Sequence, residues 1–401
     1  MGRKRRRGTC FALVATAAAL AVTPALAEAN YVYWTNQNET TIGRAKLNGE
    51  GANNSFMTGL NQPMGIATDS KYLYWMQGDS TNATIGRANL DGTNPNPNFI
   101  PHQAGMDAGA GIVITPNNGI YWGNRLNTIG HANLDGSNAD PDFINHAGSF
   151  TCGLTANANF IYWGLTTGAN EIGRATLAGA GIDNTFAGSN VYCGLAMDNT
   201  YIYYGSNASN SIGRAPIGGG AGDPTFIPNA SSPGNDPCGM GITPEYLFWG
   251  NTPETAIGRA NVNGTGVSPT LIDGATNPCL VTAAPPNKVT VNSIKKNKKK
   301  GTASIDAKVP GPGQVELTTI PLGASEAASP VKNVGLTLTA AGSFKVPVKP
   351  QGKTSKRLKK KGKAKVTVYV NFTPSGVAGV TNSQKQVVQL VKKLKKKKKG
   401  K

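Results

Sequence analysis

Short runs of aromatic and apolar residues return along residues 30–284 at an average interval of 43 residues. They are Tyr31-Val32-Tyr33-Trp34, Tyr72-Leu73-Tyr74-Trp75, Gly119-Ile120-Tyr121-Trp122, Phe160-Ile161-Tyr162-Trp163, Tyr201-Ile202-Tyr203-Tyr204 and Tyr246-Leu247-Phe248-Trp249. All five tryptophans of the chain take the last place of such a run. Seven to ten residues later a second run reads Ile-Gly-Arg-Ala, starting at Ile42, Ile85, Ile172, Ile212 and Ile257, with Ile129-Gly130-His131-Ala132 as the third copy. A second glycine follows the first by six residues in every copy, and Phe56, Phe99, Phe143, Phe186, Phe226 or Leu271 follows that by seven. Constant spacing across one turn, with variable spacing elsewhere, marks hairpins, because turn type locks strand register. Asp91-Gly92 and Asp135-Gly136 are strong hairpin turns of this kind. A strand of small residues completes each unit, beginning at Met64, Ala110, Cys152, Cys193, Cys238 and Cys279. Six units of four short strands predict an all-β fold, a six-bladed β-propeller over residues 28–284, with sheets radiating from a central channel.

The pattern starts at an aromatic run, and its sixth small-residue strand, 279–282, has no aromatic run after it. Setting that strand beside residues 31–34 builds one blade from both ends and removes the exposed edges of an open array. A linear solenoid would need capping repeats, which the repeat region lacks. Residues 285–287 read as a linker. From 288 to 394, polar and apolar residues alternate with period two in seven segments: 289–294, 303–309, 314–319, 334–338, 344–348, 366–372 and 386–391. This predicts an immunoglobulin-like β-sandwich with lysines in loops at 295–300 and 353–365, followed by a disordered basic tail at 395–401.

Composition agrees with many turns and short elements: 51 glycines and 25 prolines, with charged residues at 15%. A helical bundle or coiled coil is excluded. The net charge of +19 looks at first like a nucleic-acid footprint, but it is unevenly placed. Residues 28–285 hold eight basic and 18 acidic side chains, about −10, whereas 286–401 hold 27 basic and three acidic, +24. The remaining +5 lies in Arg3-Lys4-Arg5-Arg6-Arg7, ahead of an apolar run from Cys10 to about Val22 and then Pro24 and Ala25-Leu26-Ala27. That is the layout of a secretory signal peptide over residues 1–27, cleaved after Ala27. The run is shorter than the ~20 residues that span a bilayer. The mature chain is therefore expected to be secreted, without a transmembrane segment, and associated with the cell wall or envelope. After residue 286 the only aromatics are Phe344, Tyr369 and Phe372. With so few stacking platforms, an anionic envelope polymer or lipid surface is the expected partner of these lysines rather than nucleic acid.

The aromatic-Trp run, the Ile-Gly-Arg-Ala strand and the Leu-Asp-Gly turn resemble the YWTD propellers of the low-density lipoprotein receptor family over residues 30–284. This resemblance implies six blades. The Thr-Asp that follows Trp in that family is here Thr35-Asn36, Met76-Gln77, Gly123-Asn124, Gly164-Leu165, Gly205-Ser206 and Gly250-Asn251. The family aspartate is thus missing from every unit, and receptor-type ligand binding does not carry over. The Ile-Gly-Arg strands also resemble those of streptogramin lyase propellers, and residues 288–394 look like lysine-rich C-terminal sandwiches of secreted bacterial proteins.

Metal-dependent propeller enzymes need carboxylates or histidines converging on the channel to hold a hard cation. The six small-residue strands contain neither. Asp69 and Asp198 lie just beyond two of them, where turns favour Asp. His102 and His146 occupy equivalent positions of units two and three, and are candidate ligand-binding residues between blades. Read more simply, they are polar loop residues copied with the repeat, because no carboxylate recurs beside them to orient the rings. Cys152, Cys193, Cys238 and Cys279 share one position in four consecutive units. In an exported chain they predict two disulfides among three connectivities, Cys152–Cys193 with Cys238–Cys279 being the choice for neighbouring blades. Four thiolates on zinc are the alternative. The arginines of the Ile-Gly-Arg strands are expected to pack on aromatics or carboxylates. The sequence thus points to a non-catalytic binding or scaffold protein, recognising a protein or carbohydrate, with no catalytic residue, cofactor or metal. The alternative is an enzyme of the streptogramin lyase or gluconolactonase type.

Overall fold

The computed structural model describes residues 31–394 apart from 38, 70, 110, 116–118, 126, 147–149, 167–170, 208–209, 233–234, 253–254, 285–288, 310–312, 320–328, 340–341 and 375–381; of 279, 284, 374 and 382 it describes the backbone alone. The segments read as signal peptide, linker and basic tail lie outside the described residues.

Each aromatic strand lies in a four-stranded antiparallel sheet, numbered 1 to 6 here by the aromatic strands that begin at Tyr31, Tyr72, Gly119, Phe160, Tyr201 and Tyr246, and the cross-strand pairs explain the sequence. In sheet 2, Ile66–Thr68 is innermost, followed outward by Tyr72–Gln77, Thr84–Asn89 and Asn96–Ile100. Trp75 stands opposite Gly86, and the pairs Trp34–Gly43, Trp122–Gly130, Trp163–Gly173, Tyr204–Gly213 and Trp249–Gly258 repeat the arrangement. The indole lies flat over the glycine: a Cβ built on Gly86 would fall 2.2 Å from Trp75 Cε2. The glycine of Ile-Gly-Arg-Ala is therefore the floor on which the tryptophan rests.

These rings also join one sheet to the next. Trp75 packs in one cluster with Tyr33 and Ile42 of sheet 1, Trp122 with Ile85 and Ile100 of sheet 2, and Trp34 with Ile257 and Ile272 of sheet 6. Large aromatic side chains bury about 150–250 Å² each, roughly 4–6 kcal/mol of transfer free energy before conformational entropy is subtracted. The tryptophan recurs because each interface between sheets needs one large filler.

Sheet 1 is built from both ends of the repeat region. Pro278–Ala284 runs antiparallel to Tyr31–Asn36, with Tyr33 opposite Thr282 and Trp34 opposite Val281. The inner strands touch in sequence, Ile66–Thr68 to Ile112–Thr115, then Thr151–Ala156, Val191–Met197, Asp236–Ile242 and Pro278–Ala284, which returns to Ile66–Thr68. This arrangement of sheets around an axis is a β-propeller.

Residues 290–391 form two further antiparallel sheets. One holds Thr290–Asn297, Thr302–Val309 and Gly342–Val348; the other holds Val334–Leu338, Gly313–Thr318, Lys363–Pro374 and Asn382–Val391. Ile305, Val346 and Val348 of the first share a core with Val315, Leu317, Val368 and Leu390 of the second. Alternation places the strands close to where period two predicts them, but neither lysine segment is wholly a loop: Lys295 and Lys296 lie in the strand Thr290–Asn297, and most of 353–365 is helix or strand. Gly352–Lys361 is an α-helix that buries Leu358 in the same core. Lys, Arg and Leu are good helix formers. The left-handed Gly362, at φ 69°, ends the helix with its N–H on Leu358 O, and Lys359, Lys360 and Lys361 meet the negative end of the helix dipole. No described helix is long and apolar enough to cross a membrane.

Candidate functional site

The inner strands approach each other backbone to backbone at glycines. A Cβ on Gly194, at φ 70°, would fall 2.4 Å from the Gly239 backbone, and one on Gly111 would fall 2.8 Å from Leu154 N. Strands this close leave an axial channel of only about 110 Å³. Aliphatic side chains such as Ile112, Leu154, Leu195 and Val281 line it together with Thr68, Thr155 and Thr282, and among the described residues its lining has no histidine or charged side chain. Among the described residues, no group of three His, Cys, Asp or Glu side chains is placed to hold a metal ion.

The two aspartates beyond the inner strands build turns. Asp69 Oδ1 accepts hydrogen bonds from the Lys71 and Tyr72 N–H groups, and Oδ2 accepts one from the Tyr74 hydroxyl at 3.0 Å. Burial raises its pKa above the ordinary carboxylate value, against the pull of these donors. Asp198 repeats the arrangement with Thr200, Tyr201 and Tyr203, and Asn157 stands in the same place before Phe160. Each hands the inner strand over to the aromatic strand and orients its tyrosine.

His102 and His146, equivalent in sequence, have different surroundings. His102 is exposed, with Nδ1 3.2 Å from Ala83 O of its own sheet. His146 is buried and stacks on Trp163 of sheet 4 at 5.2 Å, with Nε2 2.7 Å from Thr151 Oγ1. Burial lowers its pKa from 6.5 to about 4, so the ring is neutral at physiological pH. Cys152 and Cys193 are joined in a disulfide between neighbouring inner strands, with Cα atoms 5.0 Å apart, inside the reach of such a bond. Cys238 is buried at the next equivalent position, and the Cys279 side chain lies outside the described residues.

The arginines form a repeated clamp. Arg44 lies between Tyr31 and Phe56 at 4.4 and 3.9 Å, and Arg87, Arg174 and Arg214 lie likewise between two rings. Arg259 stacks on Tyr246 and donates to Leu47 O at 2.9 Å, tying sheet 6 to sheet 1. In sheet 3 both partners change together: Gly119 replaces the outer aromatic, and His131 fills the space between Tyr121 and Phe143. The arginines therefore stack on aromatic side chains of their own sheets, and Arg259 also reaches the neighbouring sheet.

Sequence reasoning missed the role of the residues at the absent family aspartate. Asn36 Nδ2 donates to Asn54 O in the outer strand, and its Oδ1 accepts the Thr276 N–H. Asn124 does the same with Pro141 O and the Asp107 N–H, and Gln77 with Pro97 O and the Asn61 N–H. A carboxylate accepts hydrogen bonds but donates none, so an amide serves where a carbonyl must also be met. The signal was present as Asn36, Gln77, Asn124 and Asn251 at one repeat position. At that end of the sheets, where second strands leave and inner strands enter, Gln37, Gln62, Asp79 and Arg125 surround a polar recess of about 280 Å³.

No family model matches the chain, and no curated protein matches it in sequence. Solved structures do share its fold. The nidogen propeller, determined in a nidogen–laminin complex, aligns at 16% identity and a TM-score of 0.50, covering 63% of this chain and 98% of that one. A TolB-like protein from Agrobacterium tumefaciens aligns at 12% identity and a TM-score of 0.46, covering 64% and 92%. A gluconolactonase from Xanthomonas campestris aligns at 14% identity and 0.38, covering 61% and 82%. The chain is similar to the nidogen propeller in fold, and the fold is a β-propeller.

Proposed function

We propose that the chain is an exported, non-catalytic recognition protein: a six-bladed, YWTD-type propeller followed by a lysine-rich immunoglobulin-like sandwich that attaches it to an anionic polymer or lipid surface of the cell envelope. The division of charge carries this reading, since 27 of the 40 basic residues fall after residue 285 with only three acidic ones. Among the described residues the one ion pair is Lys46–Glu50, outside the lysine-rich segment. The propeller supplies the recognition surface. Its channel is lined, among the described residues, by aliphatic side chains and threonines. The polar recess at Gln37, Gln62, Asp79 and Arg125 is where a protein or carbohydrate ligand would find hydrogen-bonding groups.

Deleting residues 286–401 should move the protein from the envelope fraction into the medium, and raised salt should release the full-length chain in the same way, measured by immunoblotting of fractionated cells. Retention of the truncated chain on the envelope would remove the basis of the reading.

A further inference from the structure

The C-terminal lysines are not spread evenly over their two sheets. Five of them, in the segment 295–300, meet Lys349, Lys392 and Lys393 around a groove of about 1090 Å³. Its other lining residues are Asn, Thr, Ser, Ala and Pro, so eight lysines line one cavity with no carboxylate and no aromatic ring among its described lining. The backbone that presents them is held in place. Lys300 N–H donates to Asn297 Oδ1 at 2.9 Å and Gly301 N–H to Asn297 O at 2.7 Å, closing the hairpin. Lys393 N–H donates to Lys298 O at 2.9 Å, tying this hairpin to the last strand, and Lys392 N–H donates to Gly362 O. Eight like charges around one concavity repel one another, and nothing in the fold of these strands requires them there.

We infer that this groove is a binding site for a linear polymer with a phosphate backbone. The inference rests on the envelope-attachment reading and names the site and the ligand chemistry. Lysine is a compact point charge suited to phosphate, whereas recognition of carboxylates favours the planar arginine fork, and Arg357 is the single arginine after residue 285. A trough between a hairpin and a strand end admits an extended chain, while a planar bilayer would meet only its rims. The absence of aromatic residues from the lining leaves no platform on which bases would stack.

The test uses the mature full-length protein and linear inorganic polyphosphate, with affinity measured by calorimetry at several salt concentrations. The variant carrying Lys295→Gln, Lys298→Gln, Lys300→Gln and Lys393→Gln removes four groove charges. The variant carrying Lys353→Gln, Lys356→Gln, Lys359→Gln and Lys360→Gln removes four exposed charges from the helix, outside the groove. The groove variant should bind about tenfold or more weakly at low salt with a shallower salt dependence, and the helix variant should stay within about threefold of the parent. Single Lys298→Gln should show a smaller loss of the same kind, which keeps the test valid if the fourfold variant does not fold. Equal losses in the two variants would assign binding to diffuse charge and overturn the groove. If phosphatidylglycerol vesicles bind the parent and polyphosphate does not, the attachment reading stands and the groove assignment fails. If neither binds, both fail.

Discussion

Gly86 lies beneath the Trp75 indole with no room for a methyl group, so Gly86→Ala must push the ring out of the interface it shares with Tyr33 and Ile42 of sheet 1. Overpacking of this kind costs about 1–3 kcal/mol, and a denaturant melt should show that loss. An unchanged midpoint would mean that the ring does not define the sheet interface. His146 gives a second test at the scale of one residue. Its pKa is held near 4 by burial, against 6.5 for an exposed imidazole, so between those values the unfolded chain binds a proton that the folded chain does not. Its contribution to stability is complete above pH 6.5 and declines as the pH falls toward 4, by at most about 1.4 kcal/mol per pH unit. The stability–pH curve of His146→Gln should lack this decline, and an identical curve would show that the ring is protonated when folded. The repeat announced both positions, but the burial of His146 and the exposure of His102 were not legible, because identical sequence offsets lead into different loops.

At the scale of elements, the disulfide links inner strands whose cysteines lie 41 residues apart, so one whole repeat is enclosed between them. Closing a loop of that length restricts the unfolded chain by an amount worth about 2–4 kcal/mol. Replacing Cys152 and Cys193 by Ser should lower the unfolding midpoint accordingly, and a reductant should then have no further effect at this pair; a variant as stable as the parent would mean the bond adds nothing. The strands themselves were readable, since period-two alternation and fixed turn spacing need only local information. The helix Gly352–Lys361 was not. A surface helix shows itself by an apolar stripe, and here Leu358 is the only buried side chain on it. Its docking against the core of the two sheets stabilises a conformation that the run of like charges opposes.

At the scale of the whole molecule, the net charge of +19 describes neither part of the chain. The attachment proposed for the lysine-rich part should weaken steeply with salt, because the screening length falls from about 10 Å at 0.1 M to about 3 Å at 1 M. The same salt should leave the propeller's folding nearly untouched, since the interfaces between its sheets rest on buried rings and, among the described residues, its one ion pair is the exposed Lys46–Glu50. By itself the sequence determined the repeat, the four strands of each unit, the fixed turn that follows each Ile-Gly-Arg-Ala strand, and the meeting of the two ends of the repeat region. All of these follow from spacing, register and the need to cover hydrophobic faces. Only the tertiary structure decided the width of the channel, the amide bridges of Asn36 and Asn124, the burial of His146 and the gathering of lysines from 295–300, 349 and 392–393 around one groove. Each of these brings together residues far apart in the chain or depends on distances of a few ångströms between backbones, and neither is encoded in local periodicity.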